Sequence, residues 1–552
     1  MNHRLYKNKR SVKLAMLLLL TTVASSAQQK EQEVPSLFNK SDSVPLTVIR
    51  STREFRERLL SDPWRPAFHF SFPEDDGRPG DPNGAFYYGG LYHLMYLYKK
   101  TGSGFAWGHV SSPDMLHWRH HPDAIEPGNG DEGCFSGGAY VDSLGKAYLS
   151  YWMLWGAKGI GIAQSTDADF NQWQKLPQNP VIASTEWGIT EMKDEAGKPI
   201  HVGSADPSNI WRKDGKYYML TGNLLVLNKY GRAADAPKEE RGDRLFLFES
   251  DDLKSWKYQG RFYERNPSWT DDSEDNMCPS FFPLPAGPDG GKQSGKHLLL
   301  FISHNKGCQY YTGRYTGNRF LPEKHGRMTW KDNAFFAPEA LTDDKGRQVM
   351  WSWIFDDRPD SVKHFYGWTG MYSIPRSLWM DAEGTLRMQP IREMEALRGP
   401  KTTLADVKVS SGEPVKLNLP ENDLMEIQLN VTPIAQGKVG VKVKCSEDGR
   451  EETAIWYDAK DGTLNVDAGK SSITTGRRIL ETAPLQLKKG EPLKLRIFID
   501  KGIIEVFAND RQAIGRAIYP TLNGNGVQLF AEGGTAVFSK PQAWKLFPAN
   551  PY

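Results

Sequence analysis

Cysteine is scarce in this chain. Its 552 residues hold four, Cys134, Cys278, Cys308 and Cys445, too few for a disulfide-built scaffold and spaced in no zinc-binding pattern. Three disulfide pairings are open to them, and the simpler reading is four free, buried thiols. Excess charge of one sign is also missing: Lys and Arg number 69 against 67 Asp and Glu, without the basic surplus of a nucleic-acid binder. Beyond residue 27 no apolar run is long enough to cross a bilayer, and a mean hydropathy of −0.57 excludes a polytopic membrane protein. The residues call for no metal and no cofactor; His117, His120 and His121 beside Trp118 read as a polar turn. What is plentiful is aromatic and turn-forming: 17 Trp, 22 Tyr and 25 Phe exclude a disordered chain, and 52 Gly with 35 Pro imply many turns.

The charge that exists is unevenly placed. Arg4, Lys7, Lys9, Arg10 and Lys13 precede the apolar run Leu14–Leu20 and the small residues Ala24–Ala27, and no acid falls among them. A basic segment, a short apolar segment and a small-residue exit predict a cleaved export signal over residues 1–27. Without those five cations the remainder is acidic by three charges. Residues 28–64 read as a polar lead ending in a short helix, Ser51 to Leu60, with Ser51 or Thr52 as its cap and Phe55, Leu59 and Leu60 on one side.

From residue 65 the texture becomes short strands between turns. Leu91–Tyr98, Lys146–Trp152, Lys216–Thr221, Lys296–Ser303 and Gln348–Ile354 are each aliphatic or aromatic and each follow a Gly or Asp turn. A loose repeat accompanies them: Ser112-Pro-Asp-Met-Leu-His-Trp118, Ser165 to Trp173, and Ser250-Asp-Asp-Leu-Lys-Ser-Trp256 share Ser, Asp, an apolar residue and Trp. Multi-strand units repeated at long spacing suggest the blades of a propeller over residues 65–400. Beyond Arg392–Pro400, alternating strands such as Leu424–Val431 and Leu493–Asp500 predict a β-sandwich over residues 401–552. The fold class is therefore all-β.

Inner strands of propeller blades start near a central channel, so acids just ahead of apolar strands are the candidates for chemistry. Asp81-Pro-Asn83-Gly, Asp206-Pro, Glu274-Asp275-Asn-Met-Cys278-Pro and Phe336-Ala-Pro-Glu339 all fit. Any one of them alone is an ordinary turn former; their recurrence is the signal. Two or three converging carboxylates suit glycoside hydrolysis, one attacking the anomeric carbon and another donating a proton to the leaving oxygen. Trp64, Trp107, Trp155 and Trp368 are candidates to stack on sugar rings.

These residues resemble glycoside hydrolase family 32, the fructan hydrolases and invertases. The likeness runs in order through Arg65-Pro-x-x-His69-Phe70, Asp81-Pro-Asn-Gly84, Tyr92-His93-x-x-Tyr96, Trp107-Gly-His109, Phe135-Ser136-Gly-Gly138 and Ser204-Ala-Asp206-Pro207. It continues with Cys278-Pro-Ser-Phe-Phe-Pro283, Phe336-Ala-Pro338, Pro375-Arg376 and, in the sandwich, Ile504-Glu505-Val-Phe507 and Tyr519-Pro520. The resemblance implies five blades, a retaining double displacement on β-fructofuranosides and a carbohydrate partner such as a fructan, a fructo-oligosaccharide or sucrose. By position it makes Asp81 the nucleophile and Asp206 the transition-state stabiliser, with Asn83, Trp107, Phe135 and Ser136 in the substrate-binding set.

The likeness breaks at the proton donor. Where the family carries the Glu of Glu-Cys-Pro, this chain has Met277, and a thioether donates no proton. Glu274, in the same turn, and Glu339, at the start of the last blade, are the two substitutes the sequence offers. The family's Trp-Met-Asn ahead of Asp-Pro is here Arg78-Pro79-Gly80, and its Arg ahead of the second Asp-Pro is Ala205. Two other activities remain open on these residues: fructan binding without turnover, and fructosyl transfer to a sugar acceptor.

Overall fold

The computed structural model describes residues 44–550 apart from 73–75, 157, 195, 421 and 523. The export signal expected over residues 1–27 and much of the lead lie outside the described residues. The helix of the lead runs Leu46–Ser61, earlier than its sequence signals. Ser51 and Thr52 are therefore not caps: their hydroxyls donate back to the Thr47 and Val48 carbonyls at 2.8 Å each, the mid-helix alternative open to these residues. Leu60 is exposed.

The repeated Ser–Asp–apolar–Trp stretch has one fixed place, joining the third strand of a sheet to the fourth. In its first copy Asp114 Oδ1 accepts the Ser112 hydroxyl (2.9 Å) and the amides of Leu116 and His117 (3.0 and 2.9 Å). In the third copy Asp252 Oδ1 accepts the Lys254 and Ser255 amides, both at 2.9 Å. The apolar member, Met115, Phe170 or Leu253, is buried with a left-handed φ of 63°, 55° or 65°. Turn hydrogen bonds hold the strained backbone, and the strain swings the apolar side chain under the sheet.

Five antiparallel sheets of four or five strands succeed one another over residues 82–125, 131–183, 211–261, 277–327 and 335–390. The five strands expected from the sequence are the second strands of these five sheets. First strands lie innermost: Pro82–Tyr88 packs against Asp131–Val141 and Phe335–Thr342, and the last also packs against Met277–Pro285. The ring is stapled where Tyr372 N donates to Phe70 O (2.9 Å) and Phe72 N to Gly370 O (3.3 Å). Two further sheets of eight and six strands follow from residue 398 and enclose an aliphatic core including Ile427, Val441, Ile497 and Leu529. The molecule is a β-propeller followed by a β-sandwich.

The two are joined by buried polar groups. His69 Nδ1 meets Asp500 Oδ2 at 2.9 Å and His69 Nε2 meets Glu505 Oε1 at 3.3 Å, while Glu505 Oε2 accepts from Arg376 of the fifth blade at 2.8 Å. Burial alone would lower the His69 imidazole, but its hydrogen bonds to Asp500 and Glu505, backed by their charges, raise it to about 9.

Four of the five inner strands share an irregular start. Their pairing slips by a bulge between Asn83 and Phe86, Cys134 and Gly137, Met277 and Ser280, and Phe336 and Glu339. Left-handed backbone accompanies them at Gly84 (φ 54°), Asp206 (40°), Cys278 (50°) and Ala337 (43°), and the last three each precede a proline. A bulge re-aims the side chains around it, and here it re-aims them toward the ring's centre.

Candidate active site

Asp81, Asp206 and Cys278 meet at the inner strand starts. The Cys278 sulfur lies 3.7 Å from Asp81 Oδ2 and 3.4 Å from Asp206 Oδ2, so one thiol proton can serve either carboxylate. Ser136, from the second blade, donates to Asp81 Oδ2 at 2.5 Å. The other oxygen of each acid, Asp81 Oδ1 and Asp206 Oδ1, is buried with no hydrogen-bond partner among the described residues, an arrangement native proteins rarely leave without a use. Burial raises the Asp81 carboxyl, with Ser136, His304 and Cys278 offsetting part of the rise. Burial and then the charge of Asp81 push Asp206 up to about 7.

Asn83 is a support: its amide nitrogen donates to Asp81 O (3.0 Å) and its Oδ1 accepts from Gly137 N (3.0 Å), which ties Asp81 to the strand carrying Ser136. Trp107 does not face a ligand. It is wholly buried and its indole N–H donates to Phe135 O at 3.1 Å, because glycine at 84 lets its ring close over the inner strand. Trp368 is buried as well, donating to Asp62 Oδ2 at 2.6 Å beneath Arg358, and Trp64 donates to Pro520 O of the sandwich. Among the described residues the exposed tryptophans are Trp155 and Trp187. Trp187 stacks on Trp152 (5.6 Å, 27°), which meets Phe135 edge-on at 5.6 Å, so an aromatic file leads from the surface to the neighbour of Ser136.

The opposite wall is also aromatic. A Cβ at Gly80 would fall 2.9 Å from Trp353 Nε1, so the glycine beside Asp81 is what admits this indole. Trp353 contacts Phe336 (6.1 Å), and Phe336 contacts the His304 imidazole (5.6 Å, near-perpendicular).

Both expected proton donors are held by partners other than Asp81. Glu274 is buried in a structural ion pair, accepting from Arg327 at 2.8 and 3.1 Å and from Gln309 at 2.9 Å. Burial would raise this carboxyl, yet the Arg327 hydrogen bonds and charge lower it, which makes it a poor acid. Glu339 has both oxygens engaged, Oε1 by Ala85 N (2.8 Å) and Oε2 by the Ser280 hydroxyl (3.1 Å), so it ties the first, fourth and fifth blades together. Burial pushes its carboxyl up to about 8.

Met277 is buried where the donor was expected. Its sulfur accepts from Leu224 N at 3.4 Å, and a Cβ on Gly222 would fall 2.4 Å from it; Gly222 N in turn donates to Ala205 O at 2.8 Å. The two departures from the expected Arg and Glu are thus neighbours through Gly222. Two groups had escaped the sequence reading. Cys278 passed for a bland thiol, although it stands beside the proline of the Met277 turn; His304 follows a strand in a turn and carries no motif of its own.

Residues 72–390 match the glycosyl hydrolases family 32 N-terminal domain and residues 393–545 its C-terminal domain. The chain belongs to glycosyl hydrolase family 32. Among its family 32 relatives, a levanase of Bacillus subtilis (strain 168) is 29% identical over 524 residues, covering 89% of this chain and 71% of the levanase. A fructan 6-exohydrolase of Beta vulgaris is 26% identical over 568 residues, covering 89% and 88%. Fructan 1-exohydrolase IIa of Cichorium intybus shares the fold at a TM-score of 0.74 and 22% identity, covering 89% of this chain and 98% of that one.

Proposed function

We propose that the chain is a retaining glycosidase cleaving β-fructofuranosidic bonds in fructans, fructo-oligosaccharides or sucrose. The convergence of Asp81 and Asp206 on Cys278 carries this reading. With Ser136 holding Oδ2, the unpartnered Asp81 Oδ1 is the attacking atom, forming a covalent fructosyl ester as the glycosidic bond breaks. Asp206 Oδ1 accepts from sugar hydroxyls, most strongly as charge develops on the ring. Trp187, exposed at the outer end of the Trp152–Phe135 file, offers a face for a further sugar unit. Residues 1–27 support export, to be checked by sequencing the N-terminus of the mature protein.

The test is a screen of levan, inulin and sucrose with product identification, run beside Asp81→Asn. Fructose released by the wild type and abolished in the variant supports hydrolysis; products longer than the substrate mean fructosyl transfer. The loss of both ionisable groups at Met277 and Ala205 favours a second reading, fructan binding without turnover, which would show saturable binding and no product.

A further inference from the structure

A retaining reaction needs a proton donor, and the turn of the fourth blade holds a candidate. Met277 pairs with Ile302, so residues 303 and 304 extend past the start of the inner strand on the side where Asp275 leaves it. There Ser303 donates to Asp275 O at 2.6 Å, and Asp275 accepts twice from His304: Oδ1 from the backbone N at 2.9 Å and Oδ2 from Nδ1 at 2.7 Å. Asp275 is fully buried, whereas the His304 side chain is 45% exposed. The carboxylate therefore fixes a proton on Nδ1, with Nε2 on the side of the ring away from Asp275. The ring stands on the aromatic wall that runs from Gly80, next to Asp81, through Trp353 and Phe336.

Resting on the fructoside-hydrolase reading above, we infer that His304, oriented by Asp275, is the general acid and base that stands in for the missing Glu. In the first step Asp81 Oδ1 bonds to the anomeric carbon, the glycosidic C–O bond breaks, and the proton on His304 Nε2 passes to the leaving oxygen. In the second, a water oxygen bonds to the same carbon, the ester C–O bond to Asp81 breaks, and the water's proton returns to Nε2. The charge balance suits an imidazolium at rest. Burial alone would lower this imidazole, but the Asp275 hydrogen bond and charge, with the charges of Asp206 and Asp81, raise it. Lys306, the other ionisable group of the turn, pairs with Asp271.

The experiment compares wild type, His304→Ala, Asp206→Asn and Asp81→Asn on two substrates, sucrose and β-fructofuranosyl fluoride, whose departing fluoride needs little protonation. His304→Ala should lose about 10²–10⁴-fold on sucrose while keeping formation of the fructosyl ester from the fluoride, and added azide should yield fructosyl azide. Asp81→Asn should fail on both. Sucrose turnover unchanged in His304→Ala beside an active wild type overturns the assignment to His304 alone. So do equal losses on both substrates, or fluoride and azide restoring Asp206→Asn in its place. A wild type that releases fructose from neither substrate overturns the hydrolase reading itself, and this inference with it.

Discussion

Ser136 Oγ and Asp81 Oδ2 meet at 2.5 Å across two neighbouring blades. The hydroxyl fixes which carboxylate oxygen is free and offsets part of the burial that raises Asp81. Ser136→Ala should fold normally and lose roughly ten- to a hundred-fold in kcat/KM on sucrose, the worth of about 1.5–3 kcal/mol for a hydrogen bond to a charged group. Unchanged kinetics would remove Ser136 from the reaction.

Cys278 sits between two carboxylates, and burial followed by the charges of Asp206 and Asp81 pushes its thiol well above the ordinary range. The folded protein should therefore resist iodoacetamide at Cys278 at neutral pH, while the unfolded chain reacts at all four cysteines. Peptide mass mapping reads both states; rapid native alkylation at Cys278 would contradict the geometry.

Restoring the family residue should not restore the family site. Met277→Glu buries a carboxyl among Gly222, Leu224 N and Ala205, without an Arg at position 205, and should cost about 3 kcal/mol of stability. Adding Ala205→Arg should recover much of that loss. Denaturant melts of the single and double variants give the coupling.

Stability should fall on the alkaline side through His69. Its folded value of about 9 lies above the ordinary 6.5, so the protonated ring favours the folded state. That contribution is complete below about pH 6.5 and disappears as pH rises through 9, a loss of about 3 kcal/mol at most. Denaturant melts between pH 6 and 9 should show the slope in the wild type and a flatter one in His69→Gln.

The blade order was legible because each second strand is an unbroken apolar run after a turn, and Asp81 and Asp206 because Asp-Pro recurs ahead of such runs. Trp107 was not: nothing local distinguishes an indole that closes over Gly84 from one that faces a sugar. Glu274 misled because its partner Arg327 lies 53 residues on, and an ion pair across three strands leaves no mark on sequence spacing. Ser51 and Thr52 carry the residue types of a cap, but their hydroxyls found carbonyls one turn back.

Glu339 holds the last blade to Ala85 of the first and Ser280 of the fourth. Asp81, Ser136, Asp206 and Cys278 are brought together only when that circle is complete, since each arrives on a different segment of the chain. Enzymatic activity is therefore an assay of closure: during refolding, strands can form and the sandwich can pack while fructose release stays at zero. It should then appear as one late event, when the final blade finds the first.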